Sequence, residues 1–320
     1  KDFVFTANTF TAESGSTIAA QALTATTVTG TSFNGIPFFA ADNSIYTHDV
    51  SGTDDTASFN AAYGITALDA ITTGDDNVAV GFAALTVLTT GLRNIAIGRQ
   101  AADEFDTEND NLAIGRSALG GAVAGGEFNV AVGNFALDAL TTADGTTAVG
   151  YNAGSAITTG GANTLFGHQA GLLLTTHESN SIFGFNAGIA LVESNNVIMG
   201  RNAAKAATSA NGNVIIGDNA VEVGVLTGND NVVIGKTAGQ DMTSGEQNVA
   251  IGKDALLAAT SDSYNVAIGT SAGKSLIGGG NNNTLIGIEA GRPLTTGDNN
   301  VAVGSEALGS ASGATTEGNN

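Results

Sequence analysis

The chain has 320 residues, 42% hydrophobic and only 6% aromatic, with 45 Gly, 2 Pro, no Trp and no Cys, so disulfides and thiolate metal sites are excluded. A formal net charge of −20, from 10 basic and 30 acidic residues, excludes a basic surface for nucleic acid or anionic lipid. No apolar run approaches the ~20 residues of a membrane-spanning helix, so no membrane insertion is expected of this chain.

Residues 1–42 are rich in Thr, Ala and Phe (FVFTANTF, TATTVTGTSF) and read as an extended N-terminal shaft or docking segment. Residues 43–59 read as a degenerate capping coil. Asn43 lies 17 residues before Asn60, Thr47 stands where a Gly is due and Val50 where an Ala is due. Terminal repeats are commonly atypical because they cover an open edge.

From Asn60 to Leu308 one unit recurs fifteen times: Asn, three mostly apolar residues, Gly, two variable residues, Ala. The Gly falls at 64, 81, 98, 115, 133, 150, 167, 184, 200, 217, 235, 252, 269, 287 and 304, at intervals of 17 with three of 18 and one of 16. So strict a period predicts an all-β parallel β-solenoid spanning residues 43–308, one coil per repeat. The three residues after Asn alternate sides with period two. The first and third are often β-branched or large, as in Val78 and Val80, which favours strand. The middle residue points the other way and is apolar too: Ala79, Ala96, Ala113, Ala131, Leu165 and Ile182.

A strand apolar on both faces is expected to be buried on both. A single slender coil has one interior, so the middle residues are assigned to an interchain face. The residue four after the Gly supports a packing role. It is often Leu where the middle residue is Ala (Leu85, Leu137) and often Gly where the middle residue is large (Gly171, Gly188). Such volume compensation is what close packing demands of touching sites.

The corner Gly residues, among them Gly81, Gly98, Gly115, Gly133 and Gly150, predict positive φ or close backbone approach. The Ala three residues on, including Ala84, Ala101, Ala118, Ala136 and Ala153, predicts a tight buried corner. Asn77, Asn94, Asn111, Asn129 and Asn163 predict a side-chain ladder, the alternative being a plain turn Asn; Thr146 interrupts the series. The rest of each coil, as in LTTGDN from Leu294, reads as a polar turn, and residues 309–320 as a flexible C-terminal tail.

Chemistry-bearing motifs are missing. His48, His168 and His177 have no recurring ligand spacing, and no GxSxG, P-loop or HExxH is present. No catalysis, cofactor or metal is therefore expected. Two minor readings stay open. Turn acids such as Asp75 and Asp110 would serve weak calcium binding. Recurring Thr pairs such as Thr72–Thr73 would serve an ice-binding face.

The unit NVAVG or NVAIG, then two residues and Ala, as in NVAVGFAA from Asn77 and NVAVGSEA from Asn300, resembles a known repeat. It is similar to the NSVAIGxxS-type repeat of trimeric autotransporter (YadA-like) adhesin heads. It is closer to the NTAVGYNAL…TTG repeats of phage tail and collar fibres. The likeness covers residues 60–308. It implies a homotrimeric left-handed parallel β-roll with Ala-rich faces near the three-fold axis. It also implies a non-catalytic attachment fibre on a virion or at a cell surface. The coil is longer than that of the autotransporter heads, and no C-terminal anchor segment is seen, which shifts weight to the phage type. The alternative is a bacterial adhesin head or a secreted extracellular filament. The expected partner is the chain itself, side by side and end to end; a host receptor or glycan is not readable.

Overall fold

The computed structural model describes residues 56–122 and 125–309, and the backbone of four short strands before them. The chain divides into two compact units, Lys1–Phe38 and Phe39–Asn320. In the first, β1 (Phe3–Thr6) pairs antiparallel with β2 (Thr9–Ala12). Otherwise the N-terminal segment reading and the tail reading lie outside the described residues.

The second unit opens with β3 (Phe39–Ala41) antiparallel to β4 (Ser44–Tyr46). β4 then pairs parallel to β5 (Ala61–Tyr63) through Ile45 and Ala61. The repeat register would have matched Ser44 to Ala61, so the first rung is one residue out of step. Fifteen three-residue strands follow one another from β5 through β6 (Val78–Val80) to β18 (Thr284–Ile286) and β19 (Val301–Val303). Each pairs parallel and in register with its neighbours: Ala79 opposes Ala96, and Leu285 opposes Ala302. The result is a parallel β-solenoid of fourteen turns between β5 and β19. Among the described residues β19 pairs only with β18, so the ladder is open and does not close into a barrel.

Each coil is closed by backbone geometry that the repeat Gly permits. Gly81 has φ +134°, and a Cβ placed there would fall on the carbonyl of Gly98 in the next coil. The corner therefore needs Gly for conformation and for space. Two residues later, four residues later and just before each Asn, the chain enters the left-handed region, as at Ala83 (φ 56°), Leu85 (φ 50°) and Asp76 (φ 60°). Single left-handed residues disfavour L side chains. Here they persist because backbone bonds between coils fix them: Ala83 N–H donates to the Ile65 carbonyl at 3.0 Å, and Leu85 N–H to Ala101 at 3.1 Å.

The core is built from four columns, each contributing one residue per coil. They are the middle strand residue, the Ala three after the Gly, and the residues four and seven after the Gly, as in Ala79, Ala84, Leu85 and Leu88, all fully buried. The fourth column corrects the reading of LTTGDN as wholly a turn: Leu294 is 2% exposed and belongs to the core, as do Leu174, Leu191 and Met242. Volume compensation operates inside the coil. A Cβ at Gly171 would lie 2.9 Å from Leu174, 3.0 Å from Leu165 and 3.3 Å from Ile182, so the large middle residues of two coils fill the space that Gly171 leaves.

Candidate assembly surface

The structure inverts the assignment of the two strand faces. Ala79, Ala96, Ala113, Ala131, Leu165 and Ile182 are at most 1% exposed within one chain. They line the coil interior and have no surface left for another polypeptide. The error came from giving the single interior to the bulkier first and third residues. Small middle residues fit inside because the interior also receives the side chains of three other columns.

The first and third residues face outward. Ile97 is 39% exposed, Phe166 43%, Met199 45% and Val303 67%. Across fifteen strands these thirty positions hold no charged residue, although 12% of the chain is charged. Every third residue is apolar; Thr147, Thr164, Ser181 and Thr284 are the polar members of the first column. Phe166 and Phe183 stack on this face with centroids 5.7 Å apart. Coils spaced ~4.8 Å apart and strands ~10 Å long give an apolar strip of roughly 700 Å².

Polar side chains are tied into ladders. Asn77 Oδ1 accepts from the Asn94 N–H at 2.9 Å, and Asn77 Nδ2 donates to the Gly91 carbonyl at 2.9 Å, closing its own coil. Asn94, Asn111 and Asn129 repeat the scheme, all buried. At the interruption, Thr146 N–H still donates to Asn129 at 2.9 Å, but Asn163 N–H reaches Thr146 Oγ1 only at 3.5 Å. The corner glycines Gly81, Gly98, Gly115, Gly133 and Gly150 all have φ between +134° and +141°, and Ala84, Ala101, Ala118, Ala136 and Ala153 are fully buried.

Sequence reasoning missed two further ladders. Two residues before the Asn, a side-chain oxygen accepts the N–H of the same position one coil earlier. Asp75 takes Ser58 at 2.7 Å, Asp144 takes Glu127 at 2.8 Å and Asp298 takes Asn281 at 2.7 Å. The signal was an Asp, Asn or Ser recurring at that site. Eight residues after the Gly, Thr hydroxyls donate to the next coil: Thr72 to the Thr89 carbonyl at 3.0 Å and Thr141 to Thr158 at 3.1 Å.

Two of the three 18-residue coils are capped by a buried carboxylate. Asp262 is fully buried and accepts N–H groups of Gly278, Gly279 and Gly280, at 3.0, 2.9 and 2.6 Å, in an 18-residue coil. Glu108 likewise accepts the Gly125 N–H at 2.9 Å beneath another. Hydrogen bonds to a buried carboxylate are what make such burial tolerable.

The titratable groups with shifted pKa values are spread along the stack. Burial pushes Asp103 and Asp138 up, in coils two apart. The hydrogen bond from Arg93 holds Asp110 below the usual carboxylate range. Asp254 is also held low: burial opposes this, but hydrogen bonds from Thr237 and Lys274 outweigh it. His168 stacks between Tyr151 and Phe185, with centroids 5.3 and 4.9 Å away. Among the described residues, no group of three or more His, Asp or Glu is gathered as a metal would require. Nor is any helix long and apolar enough to cross a membrane.

No family model matches the chain, and no curated protein or solved structure is detectably similar to it.

Proposed function

We propose that this chain is a non-catalytic structural subunit of an attachment fibre, carried on a virion or at a cell surface. Copies of the chain associate through the outer strand face. The single observation that carries this reading is the uncharged strip of thirty outward positions in a chain of net charge −20. Soluble monomers rarely expose contiguous apolar patches beyond a few hundred Å². The strip's roughly 700 Å² is close to the ~800 Å² per partner of a stable interface.

The number of copies, three, and the left-handed winding come from the resemblance to trimeric β-roll fibres. The ladders support a structural role, because each is a rung-to-rung bond repeated along the stack. A phage-type fibre is favoured over a bacterial adhesin head by the longer coil. The test is the mass of the chain in native solvent with electron-microscope images of the particle. A mass near three times 31.6 kDa and elongated particles are expected. A stable single chain at micromolar concentration contradicts the proposal.

A further inference from the structure

An Asn followed by Gly can react with its own chain. The Gly amide nitrogen reaches the Asn side-chain carbon because the second residue has no Cβ to stand in the way. The sequence has two such pairs: Asn34–Gly35, outside the described residues, and Asn211–Gly212.

Asn211 stands two residues before Asn213, at a site of the turn ladder. Three other Asn share that site, and each is held. Asn109 Oδ1 accepts the Leu92 N–H, Asn229 Oδ1 the Asn211 N–H and Asn281 Oδ1 the Ser263 N–H, all at 2.8 Å. Asn211 differs. Among the described residues it enters hydrogen bonds through its backbone alone, and it is half-buried.

The attacking nitrogen is loosely held as well. Gly212 N–H reaches the Ser194 carbonyl only at 3.4 Å, against 3.0 Å for the equivalent Gly145 and Gln247 and 3.1 Å for Asp230. Beyond about 3.2 Å such a bond is weak. The turn itself calls for Gly at this point, with φ +68°.

We propose that Asn211 is the site at which the folded solenoid deamidates. The Gly212 nitrogen bonds to Asn211 Cγ, the Cγ–Nδ2 bond breaks, and ammonia leaves with the proton that the nitrogen gives up. Water then opens the cyclic imide at either carbonyl, leaving aspartate or isoaspartate and one added negative charge. The isoaspartate product routes the main chain through an additional carbon between two tied points. These are the Asn211 N–H on Asn229 Oδ1 at 2.8 Å and the Asp230 N–H on the Asn211 carbonyl at 3.1 Å. The modification therefore loosens this coil against the next, irreversibly, and does so in one chain whether or not copies associate.

Asp144–Gly145 supplies a matched control. It occupies the same two sites, with φ +62° at Gly145, but Asp144 Oδ1 accepts the Glu127 N–H at 2.8 Å. Asp144→Asn therefore places an Asn–Gly pair on a held rung. The full chain and this variant are aged, folded and denatured, at mildly alkaline pH, then digested and mapped by mass spectrometry. In the folded chain Asn211 should convert at least about tenfold faster than Asn109, Asn229, Asn281 or the amide introduced at position 144. Denaturation should remove the difference between positions 211 and 144. An Asn211 that converts no faster than Asn229 in the folded chain overturns the proposal. Equal rates at 211 and 144 in the folded variant overturn the part given to the missing rung.

Discussion

The two faces of each strand are both apolar, yet they obey different rules. On the inner face, size is regulated: Leu165 and Ile182 sit against Gly171, while Ala79 shares its coil with Leu85. On the outer face, size varies freely from Val80 to Phe166, and the property kept constant is the absence of charge. The difference separates two pressures. An interior closed by backbone on every side must conserve volume coil by coil. A face awaiting a partner must exclude charge.

The largest contrast comes from placing one carboxylate on either face. Ala131→Asp buries an unpaired charge and should cost several kcal/mol, lowering the melting temperature steeply or preventing folding. Val132→Asp, one residue away and outward, should leave the dissociated chain within about 0.5 kcal/mol of the parent and abolish association. Thermal melts with light scattering check both; matching effects at the two positions would erase the distinction between the faces.

Volume regulation is tested next. Gly171→Leu should overpack its coil by about 1–3 kcal/mol. Combined with Leu165→Ala it recreates the pairing of Leu85 with Ala79, and the double variant should be more stable than the sum of the single losses. Additive denaturation midpoints would show that the two sites do not share space.

The polar ladder has a natural gap, so it is tested in both directions. Asn248→Ala leaves the Asn265 N–H and the Asp262 carbonyl without their side-chain partner and should cost about 1–3 kcal/mol. Thr146→Asn should fill the gap and add about 0.5–1.5 kcal/mol. A destabilised Thr146→Asn would mean that the interruption is itself adapted.

The smallest effect belongs to the exposed Arg93–Asp110 pair. Because Arg93 holds the folded-state pKa of Asp110 down, the pair's contribution exists above the ordinary carboxylate pKa. It disappears as pH falls through the depressed value. The stability difference between the parent and Arg93→Gln should therefore shrink to nothing on acidification; a pH-independent difference would point to packing instead.

Much of this was legible in the sequence. The period dictated a solenoid, β-branched residues placed the strands, and the corner Gly and repeat Asn announced a turn and a stack. Which face looked inward was not legible, because period two sorts residues into faces without labelling either. The deciding clue was present in the compensation between Gly171 and Leu165, which can operate only where no third party intervenes. The fourth core column escaped because Leu294 opens the polar run LTTGDN and lies outside the strand whose alternation marks the core. The turn ladder escaped because Asp75, Asn109 and Ser194 share an acceptor oxygen and little else.

The most direct test uses the chain's two methionines, one inside the coil and one on its outer strand face. Met242 is fully buried in the coil, and Met199 is 45% exposed on the outer strand face of a single chain. Oxidation to the sulfoxide follows access. With mild peroxide under native conditions, Met199 should be nearly as slow to oxidise as Met242, because neighbouring copies cover it. Oxidation of Met199 at the rate of a free methionine, with Met242 protected, would show the outer face open to water and contradict the account.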